Sequence, residues 1–324
     1  MSTIRLSGWR LRAVMFSIIV AVALYLGIAL WAGADEVWRA LKLVGFGGLL
    51  LALALSLGNY SLRFTRWQLY LRTLGHAVPA AASLHIYVAG FALTTTPGKA
   101  GEALRGVLLK RRHVPYPDSF AAFVSERLSD LIAVVLLSML GLTLVAQGTW
   151  LILIGAACIL AALVVLAWRR PLAWLQTVSD RPGQRLWRTL HHLVTVLLQA
   201  RRCHRPALLA GATVLSVIAW SAEALAFWWI LNAIGFEATF AFAAFVFALA
   251  MLAGALSFLP GGLGGTEAVM VALLLWADMP PADAVAATML IRFTTLWFAV
   301  ILGLIALGTN PEARGRELPD PHHG

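Results

Sequence analysis

Six stretches of about twenty residues, each apolar almost without interruption, constrain this chain more than any other feature: Ala13–Gly33, Leu43–Leu62, Ala121–Val145, Trp150–Trp168, Ala207–Ile234 and Ala284–Leu307. A helix needs about 20 such residues to cross a hydrocarbon core about 30 Å thick. Lipid offers no partner to a backbone N–H or C=O, so a spanning segment of this kind is helical. The expected fold class is an all-α polytopic membrane protein. Composition agrees: 60% of residues are hydrophobic and 12% charged, where a soluble domain carries about a quarter charged. That balance excludes a soluble enzyme, a coiled coil, a disordered chain and a collagen. Two cysteines, Cys158 and Cys203, exclude a disulfide scaffold. The first run exceeds a signal-peptide core and is followed by Asp35 and Glu36 rather than a cleavage site, so it is read as retained.

Two further regions are apolar but broken. Ala80–Thr96 runs into Pro97-Gly98-Lys99-Ala100-Gly101, and Thr239–Leu259 runs into Pro260-Gly261-Gly262-Leu263-Gly264-Gly265. Proline removes a donor and glycine loosens the backbone, so helices stop there. At membrane depth such a break survives only packed in protein or lining a wet cavity. Both regions are predicted to be helix-break-helix hairpins of re-entrant type, which brings the total to about eight transmembrane elements. Pro171–Arg205 places Arg181, Arg185, Arg188, Arg201 and Arg202 opposite Trp174, Trp187, Leu190 and Leu197, the pattern of a basic helix lying on the membrane surface.

The net charge of +10 is read as a topology signal rather than a nucleic-acid footprint, because lysine and arginine collect on the cytoplasmic side. Placing residues 1–12 and 309–324 inside leaves Arg39 and Lys42 outside and Lys99, Arg105, Arg127 and Arg292 within membrane segments. All other lysines and arginines then fall inside. The expected organisation is a cytoplasmic N-terminus (1–12), one membrane domain (13–308) and a disordered cytoplasmic tail (309–324).

The two broken regions match one another. Pro97-Gly-Lys-Ala-Gly-Glu-Ala103 and Pro260-Gly-Gly-Leu-Gly-Gly-Thr-Glu-Ala268 bring Glu102 and Glu267 into correspondence, 165 residues apart. The same offset relates Pro115 to Pro280, Asp118 to Asp283 and Arg127 to Arg292. Repeat one is placed at about 43–145 and repeat two at about 207–307. Because Leu43–Leu62 runs outward to inward and Ala207–Ile234 the reverse, the expectation is an inverted-topology repeat, the arrangement of alternating-access transporters. Arg127 and Arg292 enter from opposite faces and reach about 12 Å deep, near the middle of the bilayer.

The candidate site follows from these breaks. An arginine at the bilayer centre costs at least about 2.5–3.5 kcal/mol, so Arg127 and Arg292 are either structural partners of Glu102 and Glu267 or ligands for a lipid phosphate, which arginine grips bidentately. Gly98, Gly101, Gly261 and Gly262 open half-helices whose N-termini attract anions, or else permit close packing. Lys99 and Arg105 have no basic counterpart in the second copy and are either headgroup ligands or snorkelling side chains. Glu126 and Glu223 are candidates for a coupled proton or cation. Asp130 is read as a packing partner of Arg127, and Arg63 and Arg66 as topology anchors. Thr94, Thr95 and Thr96 can satisfy carbonyls freed at the first break. No residue is assigned a catalytic role. No metal-ligand spacing, cofactor site or nucleotide-binding loop is present in the sequence.

These motifs resemble a known family. Asn59-Tyr-Ser-Leu-Arg-Phe-Thr-Arg-Trp67, Pro97-Gly-Lys-Ala-Gly-Glu-Ala-Leu-Arg105, Ser125-Glu-Arg-Leu-Ser-Asp130 and Leu259-Pro-Gly-Gly-Leu-Gly-Gly-Thr-Glu267 are similar to the transmembrane region of lysylphosphatidylglycerol synthases. The likeness spans roughly Ala13 to Leu307. It implies a bacterial or archaeal inner-membrane protein that moves a phospholipid, glycolipid or hopanoid-type lipid between leaflets. Lysyl transfer is not expected, because only a short tail follows Leu307. Membrane lipids are the expected partners, with lipid-biosynthesis enzymes as the candidate protein partners and no nucleic acid. An intramembrane lipid-modifying enzyme using Glu102 or Glu267 as acid or base, and a non-transporting scaffold, are the alternatives.

Overall fold

The computed structural model describes residue 27 and residues 34–96, 100–141, 149–179, 185–257 and 259–309. The expected first span, the tail, and the site residues Gly98 and Lys99 fall outside that set, as does the side chain of Glu102. The described residues are helical with no strand among them. In chain order the helices are α1 (Ala34–Thr73), α2 (Ala80–Ala89), α3 (Ala100–Lys110), α4 (Tyr116–Ser138), α5 (Thr149–Ala167), α6 (Arg169–Ser179), α7 (Arg185–Arg202), α8 (Pro206–Ile234), α9 (Phe240–Leu256), α10 (Gly265–Trp276), α11 (Pro281–Arg292) and α12 (Phe298–Thr309). A π turn at Phe293–Trp297 joins α11 to α12.

Among the described residues, three segments are long and apolar enough to cross a membrane: Asp35–Thr73, Pro206–Ile234 and Pro281–Thr309. The bent pair α5–α6 adds a fourth if it counts as one span. The chain is thus a multi-pass membrane protein. Helix is interrupted in both regions, and in the first the interruption begins ahead of Pro97, which itself lies outside the described residues. In the first, α2 gives way to a tight turn at Gly90–Leu93 before α3. In the second, α9 gives way to a turn at Pro260–Gly262 before α10. Thr94 and Thr96 hydroxyls donate to the carbonyls of Phe91 and Leu93 at 2.9 and 2.7 Å, which satisfies acceptors that the broken helix releases. The predicted surface helix is two helices, α6 and α7, which pack on each other, and α7 packs on α4.

Helix directions follow from paired contacts. Gly48, Asn59 and Arg66 along α1 meet Trp229, Ala219 and Ser216 along α8, so residue numbers rise on one helix as they fall on the other. The two helices are antiparallel, and small residues (Ala52 and Ser56 against Ala212, Ser216 and Ala219) are buried on them, which lets their backbones approach closely. By the same reasoning α4 is antiparallel to α1, through Arg66–Asp130, Tyr70–Ser129 and His76–Asp118. α11 and the π turn are parallel to α1, through Arg39–Asp283 and Tyr60–Thr295. The sequence correspondence between α4 and α11 therefore joins two helices of opposite direction.

Two local structures recur, one at an offset of 160 residues and one at the 165 read from the sequence. Gly75 and Gly235 end α1 and α8 with φ of 97° and 98°. The N–H groups that follow, on His76 and Phe236, reach back to Leu71 and Leu231 carbonyls at 2.9 and 3.0 Å. This is the cap that glycine favours because a left-handed residue costs it nothing. At the second site His113 and Asp278, 165 residues apart, both take φ near 60° without being glycine. Val114 and Met279 then donate to Leu109 and Leu274. In each cap the acceptor is a leucine carbonyl in both copies, while the donors differ (His76 and Phe236, Val114 and Met279), so the backbone path is what repeats.

The two breaks touch. A Cβ on Gly261, whose φ is +62°, would lie 3.4 Å from the Thr94 carbonyl oxygen and 3.5 Å from Thr95 Cγ2. One apolar cluster, centred on Phe227, Ile230, Phe245 and Phe247, holds the second copy together. Another, centred on Tyr70, Leu71, Tyr87 and Leu109, holds the first.

Candidate functional site: a buried arginine cluster beside the touching breaks

The first half of the molecule buries a group of ionised side chains on α1, α3 and α4. Asp130 on α4 accepts from Arg66 at 2.7 Å and from the Trp220 indole at 3.1 Å. Its other oxygen lies 2.8 Å from Arg127 and 3.4 Å from Arg63. Glu126, one turn earlier and fully buried, accepts from Arg105 at 3.1 Å and from the Tyr87 hydroxyl at 3.3 Å, with Arg66 3.8 Å away. Arg66 also donates to the Ser216 hydroxyl on α8. Spacing explains the arrangement: Glu126 and Asp130 are four apart on α4, so they stack on one face, and Arg63 and Arg66 are three apart on α1.

Arg105 is held in an aromatic box. Its guanidinium carbon lies 4.1 Å from the Tyr87 ring centre, 5.4 Å from Trp67 and 5.6 Å from Phe91, within the range of cation–π attraction. Gly90 makes the room: a Cβ there would sit 2.5 Å from Arg105 Nε. Arg105 thus reaches from α3 to the turn of the first break. Gly101 has a packing role, since its own Cβ would lie 2.3 Å from the Gly90 carbonyl oxygen.

The cluster is rich in guanidinium groups, of which Arg127 is the most exposed, and Glu223 on α8 lies beside it as a third acid. Four guanidinium groups (Arg63, Arg66, Arg105 and Arg127) face two carboxylates (Glu126 and Asp130). The Nε–H groups of all four arginines are buried and find no acceptor among the described residues. A buried N–H without an acceptor is costly, and a multi-oxygen anion supplies the acceptors that are lacking.

The second break is organised by Arg292, which is 2% exposed. Its Nε donates to Glu267 at 2.6 Å and its Nη2 to the Gly261 carbonyl at 2.9 Å. The other Glu267 oxygen accepts from the Gly264 N–H at 2.7 Å. One arginine thereby ties α11 to the break and to the start of α10, the ion pair that the sequence offered as its structural reading. Gly262 lies against Gly254 and Thr266, where a Cβ would be 2.7 Å from the Thr266 hydroxyl.

The expected symmetry between Arg127 and Arg292 is not kept. Arg127 is 41% exposed along its side chain, stacks over Phe123 at 5.5 Å and pairs with Asp130 three residues on. The two guanidiniums belong to separate ion-pair groups. Asp130 is the partner of Arg127 as read, but also of Arg66 and Arg63. The expectation that Arg63 and Arg66 anchor topology at a helix end is corrected: α1 continues past them to Thr73, and Arg66 is 1% exposed. Two polar residues three apart inside a helix that keeps its apolar face were the signal. Ending the second span at Leu62 hid it. Glu223 is buried on α8 beside this cluster, and Arg63 and Arg292 are the two cations whose field reaches it.

Comparison with known proteins places the whole of this arrangement in one matched region. A family model described as the lysylphosphatidylglycerol synthase TM region matches residues 18–303. A UPF0104 membrane protein of Pyrococcus horikoshii is 26% identical, over 90% of this chain and 96% of its own length. Another UPF0104 membrane protein, from Methanothermobacter thermautotrophicus, is 24% identical over 88% of this chain and 90% of its own. The matched family is a membrane region and carries no catalytic assignment.

Proposed function

The chain belongs to the lysylphosphatidylglycerol synthase transmembrane-region family, and from that premise we propose that it carries a polar or anionic lipid between the leaflets of the cytoplasmic membrane. One observation bears most of this reading: the cluster of guanidinium groups with buried, unpartnered Nε–H groups next to the junction of the two breaks. Arginine is the side chain suited to a phosphate, offering parallel donors and a charge that persists at any physiological pH. In this reading Arg105, Arg127 and Lys99 contact the headgroup from the first half. Glu102 and Glu126 exchange arginine contacts with it. Arg292 and Glu267 hold the second break in shape.

The two copies act as an inverted repeat, with both termini on the cytoplasmic side, and their relative rocking opens the site to one face and then the other. The opposite directions of α1 and α8, and of α4 and α11, support that relation. So does the Asn59–Ala219 hydrogen bond, which joins residues 160 apart. That separation equals the Gly75-to-Gly235 offset, and matched residues meet each other where a two-fold relation passes between helices. Enzymes that make the lipid are the protein partners this reading expects.

The test is leaflet exchange in proteoliposomes loaded with a fluorescent phosphatidylglycerol analogue, quenched from outside. The wild-type protein accelerates exchange, and Arg105→Gln with Arg127→Gln slows it at least tenfold. Exchange no faster than in empty liposomes, for phosphatidylglycerol and for glycolipid analogues alike, contradicts the proposal.

A further inference from the structure

Glu223 is the buried acid that the arginine cluster does not use. It is 4% exposed and lies one turn from Ala219, where α1 and α8 cross. It makes no hydrogen bond or ion pair with another described residue. The ionisable groups facing it are Tyr60 and Arg63 on α1, Asp130 on α4 and Arg292 on α11. The remaining helix against α8, α9, contributes none. Each of these neighbours is committed elsewhere. The Tyr60 hydroxyl donates to the Thr295 carbonyl. Arg63 lies 3.4 Å from Asp130, and Arg292 donates to Glu267 and to the Gly261 carbonyl. Glu223 also stands at the position that matches Arg63 by the 160-residue offset, so acid and base occupy equivalent places on either side of the crossing.

A carboxylate in this setting is costly as an anion, and a second anion beside it makes the ionised form costlier still. A headgroup phosphate drawn to the guanidinium groups of this cluster is such an anion. We propose that Glu223 is a proton-binding site linked to headgroup binding. One proton from water forms an O–H bond on the Glu223 carboxylate as the anionic headgroup enters, and that bond breaks to release the proton to water as the headgroup leaves. No other bond changes, and the pair crosses with its charges offset. The linkage rests on the lipid-transfer reading above; the proton site itself does not.

Infrared difference spectroscopy of the purified protein in nanodiscs, stepped between acid and neutral pH, reads the site without reference to transport. Wild-type protein gives the carbonyl stretch of a protonated carboxylic acid that titrates, Glu223→Gln lacks it, and Glu223→Asp retains it at a displaced midpoint. An identical band in wild type and Glu223→Gln, or no band in either, overturns the site. In proteoliposomes with trapped pyranine and phosphatidylglycerol analogue, an imposed pH gradient accelerates wild-type exchange at least threefold and leaves Glu223→Gln unaffected. Gradient-dependent exchange in Glu223→Gln, or gradient-independent exchange in wild type, overturns the linkage. A titrating band in a protein that exchanges no lipid leaves the proton site standing and contradicts the function proposed above.

Discussion

Asp118 and Asp283, which correspond at the 165-residue offset, hold opposite ends of α1, a helix kinked at Gly45. Asp118 pairs with His76 just beyond the C-terminus of α1, at 2.6 Å, and Asp283 pairs with Arg39 near its N-terminus. Each end of α1 is thus fastened by the first turn of a helix that follows a proline turn, one on either side of the Gly45 kink.

Removing either fastening therefore acts locally. Asp118→Asn is expected to speed amide hydrogen exchange several-fold around residues 74–80 and 114–120, and Asp283→Asn around 36–42 and 280–286, each leaving the other end unchanged. Exchange that stays at the wild-type rate at the matching end, or rises at both ends in either variant, contradicts independent fastenings.

Asp130 joins α1, α4 and α8 through Arg66, Arg63, Arg127 and Trp220. Asp130→Ala leaves buried guanidinium groups without their carboxylate and is expected to cost about 3–5 kcal/mol, seen as a lowered Tm in detergent. Arg127→Ala, at a half-exposed side chain, costs about 1 kcal/mol or less. Equal losses from the two substitutions would mean that Asp130 does not organise the cluster.

Arg292 uses two edges of its guanidinium, one on Glu267 and one on the Gly261 carbonyl. A lysine supplies the charge without that geometry. Arg292→Lys is expected to lower Tm nearly as far as Arg292→Met, and proteolysis of both is expected to begin near residues 259–265. Full recovery by lysine would reduce the role of Arg292 to that of a point charge.

Close packing separates two glycines of one helix. Gly101→Ala drives a Cβ to 2.3 Å from the Gly90 carbonyl oxygen, whereas Gly106→Ala meets nothing nearer than 3.5 Å. The first is expected to destabilise by about 1–3 kcal/mol, and the second to leave Tm unchanged or raised, since alanine favours helix. Comparable Tm values for the two variants would contradict the packing role given to Gly101.

Much of this was legible in the residues. Apolar run length pointed to the helical membrane class, and the Pro-Gly motif at Pro260 located the second break, while the first begins ahead of Pro97, at Gly90. The 165-residue correspondence foresaw the recurring turn at His113 and Asp278. The Arg292–Glu267 pair and the threonine bonds at the first break also followed from spacing. Arg63 and Arg66 were misread because an apolar run ends where hydropathy falls, while a helix ends where its hydrogen bonds do, eleven residues later at Thr73. Arg105 in its aromatic box was beyond reach: Trp67, Tyr87 and Phe91 come from separate segments, and no periodicity relates them. The unequal fates of Arg127 and Arg292 were hidden for the same reason, since correspondence in sequence fixes depth but not which carboxylate arrives.

The most direct measurement of the central claim, that the guanidinium cluster with its unpartnered N–H groups receives an anionic headgroup, is mass spectrometry of lipids retained by the purified protein. Wild-type protein is expected to retain about one anionic lipid per chain through delipidating washes, and Arg105→Gln with Arg127→Gln to lose it while still eluting as a folded species. Equal retention by wild type and variant, or retention of neutral lipids alone, would contradict the account.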